Sequence, residues 1–569
     1  MSDPAASTIT PAAVLEMLDG PKRSIAEGVL NDNYVFWLGS GISRDRMPDL
    51  GAIAKRLLTV LQQRIDQADD NCRYRIALRD VLSQAPATPA DWEHIDLSKP
   101  ADQWLVFDDI ARRLVANYAR MLNVSVEGEE ADFLLWDVLD AAAVYSDRTV
   151  LPDAEHLCLA ALAIEGVASE IPSANWDPLI ERAVTALAGT QPVIRVVVAP
   201  ADARKNRKRI NLYKFHGCAE AARDNPNEFR SLLVARQSQI NAWIANNPAI
   251  GGLLTQFAVT KSTLMLGLSA QDSNIQNIFA GAQAQMSWRW PSNPPAYAFS
   301  ENALGADQEG LLQNVYRLDY TPANRPMIKA DALVQAYAKP LLLALLLFVI
   351  TSKLELLITV GYPAISKNDR DQLSLGLLCA RNLIADAVKP NAEAVLKMLE
   401  HLGRAVSMFR DGAVLVPSKG IYSPISTDPL DSMPADPALT GSGSCEAAVA
   451  TALIGLGLER KLWTTEHTDL AAVDSGAIQI VGRSGRAKVY FASSSRAAIQ
   501  LALNGHVETG GDTVIVHSDE CAPVQSRLPR RAPGRTGLAS LREVSMLNLL
   551  AAGTEIDDLM QRFRNEVAL

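Results

Sequence analysis

The chain has 569 residues, several times the length of an ordinary domain, so we expect about two to four domains. Hydrophobic residues make up 48% and charged residues 21%, which excludes a mostly disordered chain. Because the formal net charge is −10, nucleic-acid binding cannot be inferred from overall charge.

The sequence predicts neither a membrane span nor a leader. The longest uninterrupted apolar run, Leu341–Ile350, has 10 residues, and the charged Lys353 and Glu355 follow soon after it. A spanning helix needs about 20 apolar residues. The chain begins Met-Ser-Asp-Pro, without the basic and apolar regions of a signal peptide. We therefore expect a cytoplasmic protein that does not bind membranes.

The cysteines are scattered, and none forms a Cys-x-x-Cys pair. They are Cys72, Cys158, Cys218, Cys379, Cys445 and Cys521. This spacing excludes a four-cysteine zinc ribbon and gives no disulfide framework. We expect reduced, mostly buried thiols and no metal site.

Predicted strands and helices alternate over residues 1–325. The apolar run Tyr34–Leu38 lies between polar residues and a glycine-rich turn, which is typical of a strand buried on both faces. The other predicted strands follow an apolar stretch that begins near Ile171, and they are Val193–Val198, Leu212–Phe215, Thr263–Leu268, Tyr297–Ser300 and Val315–Leu318. The alternation indicates an α/β fold with a Rossmann-like, doubly wound parallel sheet. Residues about 56–167 read as a helical insertion that caps this sheet.

The second half has a different pattern. Residues 326–416 are predicted to be helical, mainly over Ala330–Leu357 and Gln372–Met408. Residues 417–442 contain five prolines and predict a linker or long loop. Residues 443–569 predict a small α/β domain for assembly or partner docking. Its predicted elements are helix Cys445–Leu458, strands Ile478–Val481 and Lys488–Ala492, helix Arg496–Asn504, strand Thr513–His517, and helices near Leu538–Leu550 and Ile556–Val567.

Polar segments follow several of the predicted strands, at the sheet edge where ligands bind in open α/β folds. The first is Gly39-Ser-Gly-Ile-Ser43. Its glycines let the backbone approach a diphosphate closely, and its amides are donors, although a plain tight turn is an equal interpretation. Asp49 follows, either as the N-cap of the next helix or as a ligand contact.

The next two segments contain an asparagine and a histidine. Asn175, in Ser173–Asp177, has an amide that can hold a ribose hydroxyl or orient a water. Asp177 caps the helix that follows or contacts the ligand. His216 ends the predicted strand in Tyr213–Gly217, and its ordinary pKa near neutrality suits a general base or proton shuttle.

The fourth segment, Leu264–Asp272, leads a buried strand into Gly267 and Ser269. Gly267 permits close approach of a ligand, and Ser269 can bond a phosphate or a ribose. Taken alone, the segment is an ordinary strand-to-helix turn.

In order and spacing, these four segments resemble the sirtuin family, specifically its bacterial sirtuin-like defence branch. The resemblance covers Ala12 to Leu318, just over half the chain. It implies a domain that binds nicotinamide adenine dinucleotide (NAD) between the sheet and a helical cap. The loop matching Gly39–Ser43 then contacts the diphosphate. Asn175 and His216 match the positions that handle the nicotinamide ribose and the catalytic water or base.

The remaining candidate binding residues follow from the same resemblance. Asp49 matches an acidic position near the nicotinamide, and Gly267 and Ser269 match contacts to the adenosine half. We add Asp177, which is close to Asn175 in the sequence. The loop residues taken singly are Gly39, Ser40, Gly41 and Ser43.

The chain departs from deacetylating sirtuins at several positions. It lacks their four-cysteine zinc module, and it has Ala174 where they carry glutamine, Leu50 for phenylalanine and Ser40 for alanine. These differences argue against a lysine-peptide groove. The resemblance therefore implies NAD hydrolysis to nicotinamide and ADP-ribose, without a metal because the pyridinium is already a cationic leaving group. The alternatives are a protein deacylase and a non-catalytic sensor of NAD or ADP-ribose that regulates a partner ATPase or nuclease.

The resemblance also implies partners. It suggests a homo-oligomer that docks a HerA-type DNA-translocating ATPase, with a short Argonaute as the alternative, and NAD depletion as an abortive antiviral response. Nucleic acid would then be contacted at most indirectly. A basic loop, in which Arg527, Arg530, Arg531, Arg535 and Arg542 lie between Glu520 and Glu543, is either a contact for an acidic partner or nucleic acid or a solvated loop.

Overall fold

The computed structural model describes residues 5–286, 288–437, 439, 442–465, 477–508, 510–520, 542–567 and 569. Two sheets organise them, one of seven strands in the first part of the chain and one of five strands in the last part. Most of the basic loop and Cys521 lie outside the described residues.

The first sheet is entirely parallel. Its strands are β1 (Tyr34–Leu38), β2 (Glu170–Ser173), β3 (Ile194–Val197), β4 (Ile210–Lys214), β5 (Ser262–Leu266), β6 (Tyr297–Ser300) and β7 (Leu333–Val334). Their order is β3-β4-β2-β1-β5-β6-β7. The chain winds away from β1 in both directions, which confirms the doubly wound, Rossmann-like α/β class. Every residue of β1 is buried, as its central position requires.

Helices flank this sheet. The longer ones are Pro11–Asp19, Arg23–Leu30, Leu50–Gln63, Arg73–Gln84, Phe107–Val115, Ala154–Ile164, Leu179–Ala188, Gln237–Asn246, Pro248–Thr260, Ser273–Gln285, Ala306–Tyr316 and Arg325–Ala332. Shorter helical segments are Ala5–Thr8, Ser40–Ser43, Pro89–Trp92, Ala101–Gln103, Tyr118–Met121, Leu134–Val138, Ala141–Tyr145, Asp202–Arg204, Ala219–Asp224, Pro226–Phe229, Arg230–Leu232 and Arg317–Asp319.

The helical insertion between β1 and β2 has an apolar cluster of its own, which includes Leu57, Leu78 and Leu114. It reaches the sheet edge through Tyr118, whose hydroxyl donates to Asp272 Oδ1 at 2.7 Å. The insertion therefore lies over the carboxyl ends of the strands.

The last part of the chain combines long helices with a mixed sheet. Its strands are β8 (Trp463–Thr465), β9 (Ile478–Gly482), β10 (Arg486–Ala492), β11 (Thr513–His517) and β12 (Arg542–Ser545), in the order β12-β11-β10-β9-β8. Strands β10 to β12 pair in parallel, whereas β8, β9 and β10 pair antiparallel. The helices are Ala338–Gly361, Lys367–Ala387, Ala392–Asp411, Ser444–Glu459, Ser495–Leu503, Met546–Ala551 and Ile556–Val567, with turns Pro417–Lys419 and Leu430–Ala435.

Several predicted elements are wrong in type. Residues Val315–Leu318 end a helix and enter a turn instead of forming a strand, because Val315 and Tyr316 continue the buried helical face that Leu311 and Leu312 begin. The helical prediction over Ala330–Leu357 misses β7, and the helical region predicted over Gln372–Met408 consists of two helices. The break precedes Pro390, as expected because a proline disfavours helix at the residue before it.

The described residues of the predicted helix Leu538–Leu550 begin instead with strand β12 and continue as helix Met546–Ala551. Strand β12 pairs with β11, which places Val544 opposite Val516. A four-residue strand that is followed at once by a helix is too short to show the alternation of apolar and polar residues by which a strand is recognised from sequence.

Helix Ala338–Gly361 is long and apolar enough to cross a membrane by length and composition, with a mean hydropathy of 2.4 over its best window. That window is 78% buried within the protein. The helix packs between Pro11–Asp19, Ala154–Ile164 and Ser444–Glu459, which makes it a core helix.

The described part of residues 417–442, called the strap below, packs against the first part of the chain. Tyr422 donates its hydroxyl to Glu165 Oε1 at 2.7 Å, and the amide of Ile425 donates to the same oxygen at 2.9 Å. Lys353 of the core helix is ion-paired with Glu165 Oε2 at 2.9 Å. One apolar cluster contains residues of both parts, so packing continues across the boundaries predicted at 325, 416 and 442.

Candidate functional site

The loops that follow β1, β2, β4 and β5 meet at one edge of the first sheet. Leu38 lies opposite both Ser173 and Leu266, and Ser173 lies opposite Lys214. Asn175 and His216 each come two residues after these strand ends. The register therefore places the candidate residues of all four segments along the same edge, where ligands bind in this class of fold.

The glycines of the first and fourth segments pack backbone against backbone. The amide of Gly39 donates to Leu266 O and that of Gly41 to Gly267 O, both at 3.0 Å. A Cβ atom on Gly41 would lie 2.6 Å from Gly267 Cα, and Gly267 has a φ of +60°. The contact between the two loops therefore requires glycine whether or not a ligand approaches. Ser269 lies beyond this contact and is exposed.

Asn175 is buried and hydrogen-bonded through only one end of its amide. Its Nδ2 donates to Ser43 Oγ at 3.4 Å, and Ser43 Oγ also lies 3.2 Å from His156 Nε2. Asn175 is 7% exposed, and its Oδ1 has no hydrogen-bond partner among the described residues. An unpaired buried acceptor is costly, so this oxygen is suited to accept from a ligand hydroxyl or a bound water.

His216 is also buried, and it contacts Asn274 instead of Asn175. Its Nε2 lies 2.9 Å from Asn274 Nδ2. Burial lowers the pKa of His216, with Asp272 opposing that shift, so the ring is neutral near pH 7. Asn274 Oδ1 is a second buried acceptor without a partner in the described part of the chain.

A buried lysine fixes the loop that carries Asn175. Lys214 Nζ donates to the carbonyl of Asp177 at 2.6 Å and is ion-paired with Glu181 at 3.0 Å. Burial alone would lower the pKa of Lys214, but the charge of Glu181 raises it, so the amine stays protonated. Asp177 Oδ1 accepts from the amide of Leu179 at 3.2 Å, which supports a capping role. The lysine within the predicted strand Leu212–Phe215, whose other residues are apolar, was the available sequence signal for this support.

A pocket of about 490 Å³ lies between the first glycine loop and the insertion. It is lined by Ser40, Gly41, Arg44, Asp49, Leu50, Gly51, Lys55, Asp108, Ala111, Arg112 and Val115. Asp49 Oδ1 caps the next helix by accepting from the amide of Ala52 at 2.8 Å. Neither Asn175 nor His216 lines this pocket. Ser40, Gly41 and Asp49 thus face the pocket, whereas Ser43 of the same loop belongs to the buried polar cluster that contains Asn175.

Sequence reasoning missed the cationic side chains of this pocket. Lys55 is ion-paired with Asp108 at 2.6 Å, whereas Arg44 has no ion pair with any residue that the structure describes. Arg112 lies on the insertion, far from the loop in sequence, so only the fold brings it near Arg44. Arg112 is ion-paired with Asp109 at 3.4 Å, and Asp49 and Asp108 also line the pocket, so Arg44 is the side chain there best placed to attract an anionic ligand.

The described residues contain no group of three or more His, Cys, Asp or Glu side chains that could hold a metal ion. The cysteines among them are free thiols, and most are buried. Burial raises the pKa of Cys158 and raises that of Cys445 to about 11, so these thiols are protonated near neutral pH.

Residues 169–320 match a family model described as a SIR2-like domain. The match spans β2 to β6 and includes Asn175, His216 and Gly267, whereas the first glycine loop and Asp49 precede it. The chain thus contains a sirtuin-like domain, which fits NAD-dependent activity in general. A comparison with curated proteins found no match.

Proposed function

We propose that this protein hydrolyses the nicotinamide N-glycosidic bond of NAD. The bond between C1′ of the ribose and the nicotinamide nitrogen breaks, and its electron pair stays on that nitrogen. The oxygen of a water molecule bonds to C1′, and one proton is released. The products are nicotinamide, ADP-ribose and H⁺, so the reaction needs no oxidant or reductant.

The observation that carries this proposal is the unpaired Oδ1 of Asn175. It lies at the carboxyl ends of the strands, where ligands bind in this class of fold, and Asn274 Oδ1 is a second buried acceptor there without a partner among the described residues. A ribose hydroxyl or an attacking water supplies the donor that Asn175 Oδ1 lacks. Holding these groups in place removes much of the entropic barrier to the reaction.

His216 fits a role in orienting the water. With Nε2 accepting from Asn274 Nδ2, the single proton of the neutral ring is on Nδ1, which can donate to a water oxygen. A cationic leaving group demands little activation of the nucleophile. The proton that is released then passes to solvent without protonating a catalytic base.

The pocket between the loop and the insertion fits the phosphate-bearing part of the substrate. Arg44 supplies positive charge and N–H donors for a diphosphate, and Arg112, which is ion-paired with Asp109, adds a second cation. The amides of Gly39 and Gly41 already donate to the fourth segment. Asp49 is proposed to contact the nicotinamide side, and Gly267 and Ser269 the adenosine half. Asp177 is also proposed to contact the ligand, although its Oδ1 already accepts from the amide of Leu179.

We further propose that the protein acts in antiviral defence in the cytoplasm, as a homo-oligomer activated by a HerA-type ATPase. The resemblance of the four segments to the defence branch supports this assignment, and a short Argonaute is the alternative partner. Light scattering of the purified protein alone measures the size of the homo-oligomer, and light scattering after the ATPase is added measures formation of the complex.

The test is the release of nicotinamide and ADP-ribose from NAD by the purified full chain, alone and with its partner ATPase. Asn175→Ala and His216→Ala are each expected to lower the rate at least about 100-fold. The matched controls are Asn565→Ala and His94→Ala, which alter exposed residues that line neither the pocket nor the polar cluster and are expected to leave the rate unchanged.

The products distinguish the alternatives. NAD consumption that depends on an acylated peptide, with acyl transfer to ADP-ribose, would replace hydrolysis by deacylation. NAD binding measured by calorimetry without cleavage in any assembly would make the protein a sensor. Cleavage that survives in both site variants would refute the proposed site.

A further inference from the structure

His156 is not among the candidate site residues predicted from the sequence, yet it touches the polar cluster. It is in helix Ala154–Ile164, and its side chain is completely buried. Its Nε2 is 3.2 Å from Ser43 Oγ, and its Nδ1 accepts from the amide of Asp153 at 3.2 Å. Both ring nitrogens are therefore engaged within the protein.

The hydrogen bonds define which nitrogen carries the proton. Because Nδ1 accepts from a backbone amide, the proton of the neutral ring is on Nε2, which donates to Ser43 Oγ. Burial lowers the pKa of His156 to about 4, so the ring is neutral at physiological pH. The charges of Asp177 and Asp153 raise this pKa, and those of Lys339 and Arg46 lower it.

Ser43 connects His156 to Asn175 by hydrogen bonds. Its oxygen accepts from His156 Nε2 and from Asn175 Nδ2, which uses both of its acceptor positions. The structure places Asn175 with its Nδ2 toward the serine, on the acceptor position that His156 leaves free. Its Oδ1 is consequently the end of the amide that has no partner in the described fold.

We infer that His156 is a positioning residue for the proposed NAD hydrolysis. Through Ser43 it fixes the amide of Asn175 so that Oδ1, and not Nδ2, is presented to the substrate. His156 itself does not touch the reacting atoms. This inference rests on the proposed function for its kinetic consequence, but the hydrogen-bond chain can be measured without it.

The kinetic test compares two substitutions of one residue. His156→Leu removes the donor, and we expect kcat for NAD to fall about 10- to 100-fold with KM little changed, because the acceptor is misplaced. His156→Gln retains an N–H near the position of Nε2, and we expect it to recover most of the loss. In the Ser43→Ala background, His156→Leu should cause no further loss, because the two residues act in series.

Several results would overturn the inference. These are an unchanged kcat in His156→Leu, no recovery in His156→Gln at an equal thermal midpoint, or losses that simply add in the double variant. The thermal midpoint and the affinity for ADP-ribose, measured by calorimetry, identify a variant that has merely failed to fold.

A second measurement does not depend on activity. In the full chain labelled with ¹⁵N-histidine, NMR should show His156 protonated at Nε2 only, and Ser43→Ala should shift that nitrogen. A proton on Nδ1, or no response to Ser43→Ala, would refute the hydrogen-bond chain. Absence of NAD cleavage by the unmodified protein would instead refute the proposed function and leave the NMR result to decide the positioning role.

Discussion

Two neighbouring carboxyl groups beside His156 have opposite protonation states. Burial would raise the pKa of Asp153, but Arg46, the amide of Ala154 and Lys339 lower it to about 2. Burial raises the pKa of Glu155 to about 8, and its Oε2 has no hydrogen-bond partner among the described residues. Near pH 7, Asp153 is therefore an anion and Glu155 is mostly neutral.

Glu155→Gln is expected to stabilise the protein increasingly as the pH rises. Unfolded glutamate ionises near pH 4.3, whereas folded Glu155 keeps its proton up to about pH 8. Between these values the unfolded state binds fewer protons, so the stability of the unmodified protein falls with rising pH. Glutamine removes that dependence.

Thermal midpoints from pH 5 to pH 8 provide the measurement. The advantage of Glu155→Gln over the unmodified protein should grow across this range. The exposed Glu16→Gln, as the matched control, should show a constant difference. A difference that is also constant for Glu155→Gln would mean that Glu155 is ionised in the folded protein.

At the scale of elements, the site depends on two loops that touch through their backbones. Gly267→Ala would place a methyl group within 2.6 Å of the Gly41 backbone, at a φ of +60°. We expect a loss of stability of about 2 kcal/mol or more. NAD cleavage should fall as well, because the loop that holds Ser43 would shift.

Gly252→Ala is the matched control for this substitution. Gly252 is in the interior of helix Pro248–Thr260, where an added methyl group would meet no neighbouring atom within 4 Å. Alanine should stabilise this helix by about 0.5–1 kcal/mol. Denaturant unfolding of both variants measures the contrast, and a Gly267→Ala protein as stable as Gly252→Ala would contradict the packing argument.

Elements were predictable from sequence where a single strong pattern marked them. The buried run of β1 and the turn residues after β1, β2, β4 and β5 follow this rule, which is why the α/β class and the strand edge could be predicted. Short segments such as β7, and the apolar run at Val315, fit helix and strand equally well.

The polar contacts of the site could be predicted from the sequence less well than its helices and strands. His156 and Arg112 come from the segment between β1 and β2, and nothing local in the sequence links them to Ser43 or Arg44. Only the packing of helices on the sheet brings them together. Whether Asn175 Oδ1 has a hydrogen-bond partner likewise depends on all the residues that pack around it, which come from distant parts of the sequence.

At the scale of the molecule, a buried ion pair joins the two parts of the chain. Lys353 and Glu165 have fully buried side chains, and Lys353 Nζ also donates to the carbonyl of Ser426 in the strap at 2.8 Å. The ion pair therefore connects three segments that are distant in sequence, which contain Glu165, Lys353 and Ser426. Removing one partner of such a pair leaves the other uncompensated.

Lys353→Ala is accordingly expected to cost about 3–5 kcal/mol of stability. The exposed pair Arg23–Glu27 is the matched control, and Arg23→Ala should change stability by less than about 1 kcal/mol. Denaturant unfolding followed by circular dichroism gives both values. Equal losses of stability in the two variants would show that the buried pair does not stabilise the packing of the strap and the core helix against the part of the chain that contains the seven-stranded sheet.

The apolar helix Ala338–Gly361 has a consequence for biosynthesis. While the chain is being translated, this 24-residue segment has the length and hydropathy of a membrane anchor. The lysine at position 353 opposes its partition into a bilayer by about 3 kcal/mol near a helix centre. The strands and helices of the first part leave the ribosome earlier and provide the surface on which the segment packs. The same charge that pairs with Glu165 in the finished protein thus biases the nascent segment toward folding and away from insertion.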